Sequence, residues 1–219
     1  MTPQAGLFLS SIAFVGTHFL LSHPLRGPLI RRLGTGPFQG LYSLVAFLTL
    51  GSMIYFYRVI GREPALWVVG DAIAAAASVL MWFGAILFVG SFARNPAFPG
   101  ARLERGQTPH GIFAITRHPM MWGFAIWALV HLAVVATPKA LVLDSAILLL
   151  ALGGSVGQDS KKRQLLGERF HEWSAQTAFW PFARGLHSPG AFALIGGTLL
   201  FLAATWLHPL PVGIWRLLA

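Results

Sequence analysis

The 219-residue chain is 55% hydrophobic and only 11% charged, whereas a soluble domain carries roughly 25% charged residues, so most of its surface is suited to lipid. It has no cysteine, which excludes disulfides, thiolate metal sites and cysteine nucleophiles. The net charge of +9 does not mark a nucleic-acid partner, because the Arg and Lys residues sit in short segments between apolar runs, the pattern of anchoring at a membrane surface.

A bilayer core is crossed by about 20 helical residues, and six apolar runs approach that length, at about 5–23, 38–58, 72–92, 120–137, 139–157 and 189–208. The first has no basic region before it and no small-x-small site after it, and it is followed by His23, Pro24, Leu25 and Arg26. It therefore reads as a retained helix and not as a secretory signal. The fourth and fifth are joined by Thr137, Pro138 and Lys139 alone, which predicts a tight hairpin. The tail 209–219 is too short to span and is expected at the interface, with Trp215 and Arg216 as anchors.

Two intervening segments are long enough for structure of their own. Residues 94–119, rich in Pro and Gly, predict an ordered loop. In 158–180, Leu165, Leu166, Phe170, Trp173 and Phe179 recur at helical spacing among charged residues, which predicts an amphipathic helix on the membrane surface. There is no repeat with a period of 20–50 residues.

Basic residues set the orientation. Arg26, Arg31 and Arg32 follow the first run; Arg94, Arg102, Arg105 and Arg117 follow the third; Lys161, Lys162, Arg163, Arg169 and Arg184 follow the fifth. Only Arg58, Arg62, Lys139 and Arg216 face the other way. The positive-inside rule then puts both termini in the periplasm. The expected fold is all-α, a single polytopic membrane domain over 1–219 with about six transmembrane helices.

Function is expected at the few polar residues inside this apolar body. A histidine within a bilayer helix is costly unless it faces a partner, a cavity or a metal. His18, in the first run, and His131, in the fourth, are in that position. Each could hydrogen-bond a neighbouring helix. As a pair they could also hold a haem iron, because neutral imidazoles need no compensating charge and no cysteine competes. Their expected depths from the basic side are roughly 8 Å and 17 Å at 1.5 Å per residue.

Trp122, Gly123 and Trp127 precede His131. Gly123 allows a flat ligand or a neighbouring helix to come close, and the tryptophans either wall an apolar pocket or serve ordinary packing. Asp144 is the one acid well inside an apolar run, placed to pair with a histidine or arginine or to be solvated near its helix start. GIFAITRHP at 111–119 is the most specific local signal. Pro119 suits the first turn of a helix, and Arg117 and His118 stand before it, able to receive a carboxylate, a haem propionate or a lipid phosphate.

Taken together, these residues resemble the NnrU family, to which the zeta-carotene isomerases belong. The resemblance rests on His18 with Leu25 and Arg26, on GLYSLVA at 40–46, on Gly111 and Ile112 through Thr116 to Pro119, on Trp122, Gly123, Trp127 and His131, and on Leu166, Gly167, Glu168, Pro181 and Phe182. It implies haem b held between helices with His18 and His131 as axial ligands, in a bacterial inner-membrane protein. In the isomerases the haem is thought to drive cis-to-trans isomerisation of the 15-cis double bond of 9,15,9′-tri-cis-zeta-carotene, a hydrophobic polyene met in the lipid bilayer. Other bacterial members are associated with nitrite and nitric oxide respiration. The isomerases carry a cysteine three residues before the second histidine, where this chain has Ala128.

A more distant resemblance supplies a competing class. Arg117, His118 and Pro119 followed by Gly123, and later Gly167 and Glu168 with Trp173 and Pro181, are similar to membrane methyltransferases that hold S-adenosylmethionine with paired glutamates. The corresponding positions here are Gln158 and Asp159, and loss of the glutamate pair argues against methyl transfer.

Overall fold

The computed structural model describes residues 1–93, 95, 103–104, 106–208 and 212–217. The secondary structure of the described residues is all helical, in the order α1 (Pro3–Ser22), α2 (Arg26–Leu33), α3 (Thr35–Val59), α4 (Asp71–Gly90), α5 (Ile112–Ile115), α6 (Pro119–Val134), α7 (Pro138–Leu166), α8 (Glu168–Gln176) and α9 (Ala191–Trp206), ending in a 3-10 turn at Gly213–Leu217. Four of them, α1, α3, α4 and α7, are long and apolar enough to cross a membrane. The runs expected at 120–137 and 189–208 are instead helices of 16 residues each, about 24 Å against a hydrocarbon core of roughly 30 Å. The first of these ends at Val134, and Pro138 opens the next helix while keeping Thr137, the residue before it, out of the helical region.

Local chemistry explains the helix ends. Thr2 caps α1 by accepting a hydrogen bond from the Ala5 amide at 3.2 Å, with Pro3 at the first helical position. Thr137 does the same for α7 through the Ala140 amide at 3.4 Å. The amphipathic helix expected over 158–180 is two helices. Residues 158–166 continue α7, and Gly167 breaks the path at φ +54° before α8 begins. That positive φ excludes most side chains. Residues 94, 96–102 and 105 of the expected loop 94–119 lie outside the described residues, as do the side chain of Arg216 and residues 209–211 of the tail. Trp215 donates its indole N–H to Thr205 Oγ1 at 3.0 Å and meets the ring of Trp206 edge-on.

The chain forms two compact units, one of residues 1–68 and 131–157 and one of 69–130 and 158–219. In the first, α1 packs on α3 around a core of Leu7, Phe14, Met53 and Ala146. Its loops are tied to helix ends. The Trp67 indole N–H donates to the Ala133 carbonyl at 2.9 Å. The Glu63 carboxylate accepts from the Lys139 amide at 2.8 Å at the start of α7, and the Lys139 ammonium donates to the Gly61 carbonyl beyond the end of α3. Both charges oppose the helix dipole at those ends.

In the second unit, α4 packs on α9, and glycines let the backbones approach. A Cβ on Gly197 would come within 2.7 Å of the Ile86 amide nitrogen, and one on Gly123 within 3.1 Å of the Gly84 carbonyl oxygen. Small residues at such crossings are the usual means of close helix packing in lipid. Gly123 thus marks where α6 meets α4.

Candidate functional site

The second unit contains the most elaborate polar cluster described, built where 115–118 runs beside 177–182. Arg117 N–H donates to the Ala178 carbonyl at 2.8 Å and Phe182 N–H to the Ile115 carbonyl at 3.1 Å. The Thr116 hydroxyl, fully buried, donates to the Phe179 carbonyl at 2.8 Å and accepts from the His118 amide at 3.3 Å. The Trp122 indole donates to that same Phe179 carbonyl at 2.8 Å. Phe182 is held at φ +63°, a strained conformation for a side-chain-bearing residue, with its ring stacked on Phe83 at 5.3 Å.

These bonds position Arg117 and His118 against Asp159, near the end of α7. Arg117 grips the carboxylate with Nε at 2.9 and 3.1 Å and Nη2 at 2.6 Å, while Nη1 donates to the Thr177 carbonyl at 3.2 Å. His118 Nε2 lies 2.8 Å from Asp159 Oδ1. The Phe179 ring closes the cluster, edge-on to His118 at 5.3 Å and beneath the Arg117 guanidinium at 5.4 Å. Asp159 and His118 are each only 3% exposed, so the ion pair is screened little and its geometry counts.

The protonation pattern of His118 follows. A carboxylate only accepts, so Nε2 carries the hydrogen. Burial holds the His118 pKa below its ordinary 6.5, opposed by the hydrogen bond and charge of Asp159 and aided by the positive charges of Lys162 and Arg117. The ring is therefore neutral near pH 7 and Nδ1 bears a lone pair. Nδ1 is buried without a hydrogen-bond partner among the described residues.

The two histidines expected within apolar runs belong to the first unit. His18 lies four residues before the end of α1 and His131 three before the end of α6. His18 Nδ1 is 2.7 Å from the Phe14 carbonyl of its own helix, and its half-buried ring is flanked edge-on by Phe14 and Tyr42, at 4.4 and 5.4 Å. A carbonyl also only accepts, so Nδ1 carries the hydrogen and Nε2 the lone pair. His131 and Trp127 are both half-buried on α6, and Ala128 between them is fully buried. Asp144 is buried, 3% exposed, on the stretch of α7 whose neighbours Val142 and Leu143 pack on the core of the first unit. Among the described residues no group of three or more His, Asp or Glu is arranged to hold a metal ion.

A sequence profile of the NnrU protein family matches residues 6–216, nearly the whole chain. The chain belongs to the NnrU family. Neither a curated protein nor a solved structure matches it. On this NnrU protein, sequence reasoning singled out Arg117, His118 and Trp122, and the structure brings them together around Phe179. It left the role of Asp159 open. Its signal was an acid at the site of the methyltransferase glutamates, and that acid is engaged by Arg117 and His118.

Proposed function

We propose that this NnrU protein is a multi-pass inner-membrane protein, crossing the bilayer with all six apolar helices and with both termini in the periplasm, that binds haem b and isomerises a double bond of a polyene. The substrate we favour is 9,15,9′-tri-cis-zeta-carotene, at its 15-cis bond. Family membership supports the class, and the tautomer of His18 carries the cofactor assignment.

An imidazole that would hold the iron must offer a lone pair while its other nitrogen is anchored, and metal-bound histidines nearly always donate that second N–H to a carbonyl or carboxylate. His18 has this arrangement through the Phe14 carbonyl. The ligand is neutral, so it needs no counter-charge in an apolar helix. His131, on the last turn of α6, is the second ligand in this reading. Haem b held there would supply an iron centre able to polarise a neighbouring polyene and ease rotation about a double bond without net oxidation. The chain's own part is to fix the imidazole planes, with Phe14 and Tyr42 restraining the His18 ring, and to keep water from an apolar substrate.

The purified protein is expected to show a b-type spectrum, six-coordinate and low-spin when reduced, that His18→Ala converts to five-coordinate or abolishes. A colourless protein, purified folded from haem-replete cells, overturns the proposal.

A further inference from the structure

The network at α7 leaves one group unexplained. Arg117 and Asp159 satisfy each other, Thr116 and Trp122 close the backbone, and His118 Nδ1 alone among the described buried side-chain nitrogens and oxygens has no partner. An orphaned polar atom in a buried network is costly. We propose that His118 is the proton acceptor of a second binding site, taking a small oxyanion that retains an acidic O–H, with Lys162 balancing its negative charge.

The chemistry of the surroundings selects that ligand class. Asp159 at 2.8 Å fixes the hydrogen on Nε2 and so aims a lone pair, and only a lone pair, from Nδ1. A metal cation is disfavoured, because Arg117 and Lys162 place two positive charges at the ring against the single negative charge of Asp159. A flat macrocycle is disfavoured too, since Nδ1 is bonded to the ring carbon that carries Cβ. An apolar ligand leaves the nitrogen unsatisfied. What remains is a small hydrogen-bond donor that is neutral or negative. Arg117 holds the Asp159 carboxylate directly, and Lys162, which shares the field of that carboxylate, adds a second positive charge at the ring, so the cluster carries an excess of positive charge to attract it.

A monoprotonated oxyanion meets both requirements. Its O–H donates to Nδ1, and its negative charge is offset by the positive charge that Lys162 exerts at the ring. Where that O–H is acidic enough, the bond breaks, an N–H forms at Nδ1, and the electron pair stays on oxygen. Asp159 then stabilises the imidazolium. The groups facing His118 in this exchange are Asp159, Arg117 and Lys162.

The test uses full-length protein in detergent, labelled with 15N in histidine, with His118 assigned from its disappearance in His118→Gln. At rest, Nδ1 is expected in the unprotonated range and Nε2 in the protonated range. Bicarbonate as probe should shift the Nδ1 signal in a saturable way and chloride should not. Lys162→Met should weaken that binding about tenfold or more, the worth of a charge-assisted hydrogen bond. A protonated Nδ1 at rest overturns the proposal, and so does a bicarbonate response that is absent, equal to that of chloride, or unchanged in Lys162→Met. The resting spectrum needs no variant for its interpretation beyond assignment, so a misfolded Lys162→Met leaves the central claim testable.

Discussion

His118 Nε2 stands 2.8 Å from Asp159 Oδ1, although 41 residues separate them, and the other face of that carboxylate is gripped by Arg117. One acid thus holds two neighbouring residues of the 111–119 motif, and the fold around it depends on all three.

Arg117→Ala is expected to destabilise the protein by roughly 3–5 kcal/mol, since removing one partner of a buried pair leaves the other charge unmatched. The side chain is 13% exposed, so solvent relieves little of this. Arg117→Met combined with Asp159→Asn should recover much of the loss, because neither charge remains. Unfolding in a detergent and denaturant series checks both. An additive double variant would show that the pair is not coupled.

The His118 shift fixes a pH dependence. Its folded pKa lies below 6.5, so between those values the unfolded chain binds a proton that the folded chain does not. Stability from this group is fully present above pH 6.5 and is lost as the pH falls below it, at no more than about 1.4 kcal/mol per pH unit. Thermal melts of wild type and His118→Gln should converge toward acid pH and separate above it.

Gly197→Ala should destabilise, whereas Gly16→Ala should not. Alanine improves helix propensity by roughly 1 kcal/mol at either position. At Gly197, however, the new methyl meets the backbone of Ile86, while at Gly16 nothing lies within 4 Å. Overpacking against backbone costs about 1–3 kcal/mol, so the clash wins at Gly197. Equal melting temperatures for the two variants would count against the α4 to α9 packing described.

How much of this was legible beforehand depends on the range of the interaction. The six apolar helices follow from composition and local pattern, and Thr2 and Thr137 cap where sequence places Ser or Thr before Pro. The length of α6 and the break at Gly167 were not legible, because hydropathy continues through both. Arg117, His118 and Trp122 stood out as polar and aromatic residues at a helix start. Their partner did not, since pairing across 41 or 42 residues leaves no periodic trace, and Asp159 sits in a charged helix end where an acid usually faces water.

The absence of cysteine makes the topology directly measurable. Single cysteines at Val68 and Leu186, 93% and 89% exposed, fall on opposite sides in the proposed arrangement. In intact cells a membrane-impermeant maleimide should label Val68→Cys, and label Leu186→Cys only after lysis. The reverse pattern would invert the protein, and labelling of both would break the six-span count.

The cofactor assignment gives the last prediction, which turns on the difference between a ligand and a packing residue. If His18 offers Nε2 to iron while Nδ1 is held by the Phe14 carbonyl, then His18→Gly removes the ligand and leaves a space that free imidazole can fill. Added imidazole should restore the low-spin spectrum in His18→Gly, and the same should hold for His131→Gly. A histidine that only packs against Phe14 and Tyr42 behaves differently, because its loss lowers stability, leaves the spectrum of any bound haem unchanged, and gives imidazole nothing to restore. His118→Gly serves as the contrast, since Nδ1 there is ill-suited to a macrocycle and the variant should keep the wild-type spectrum. Rescue at His18 and His131 with no spectral change at His118 separates the two histidine sites in one experiment. Rescue at His118 alone would transfer the iron to the Asp159 cluster.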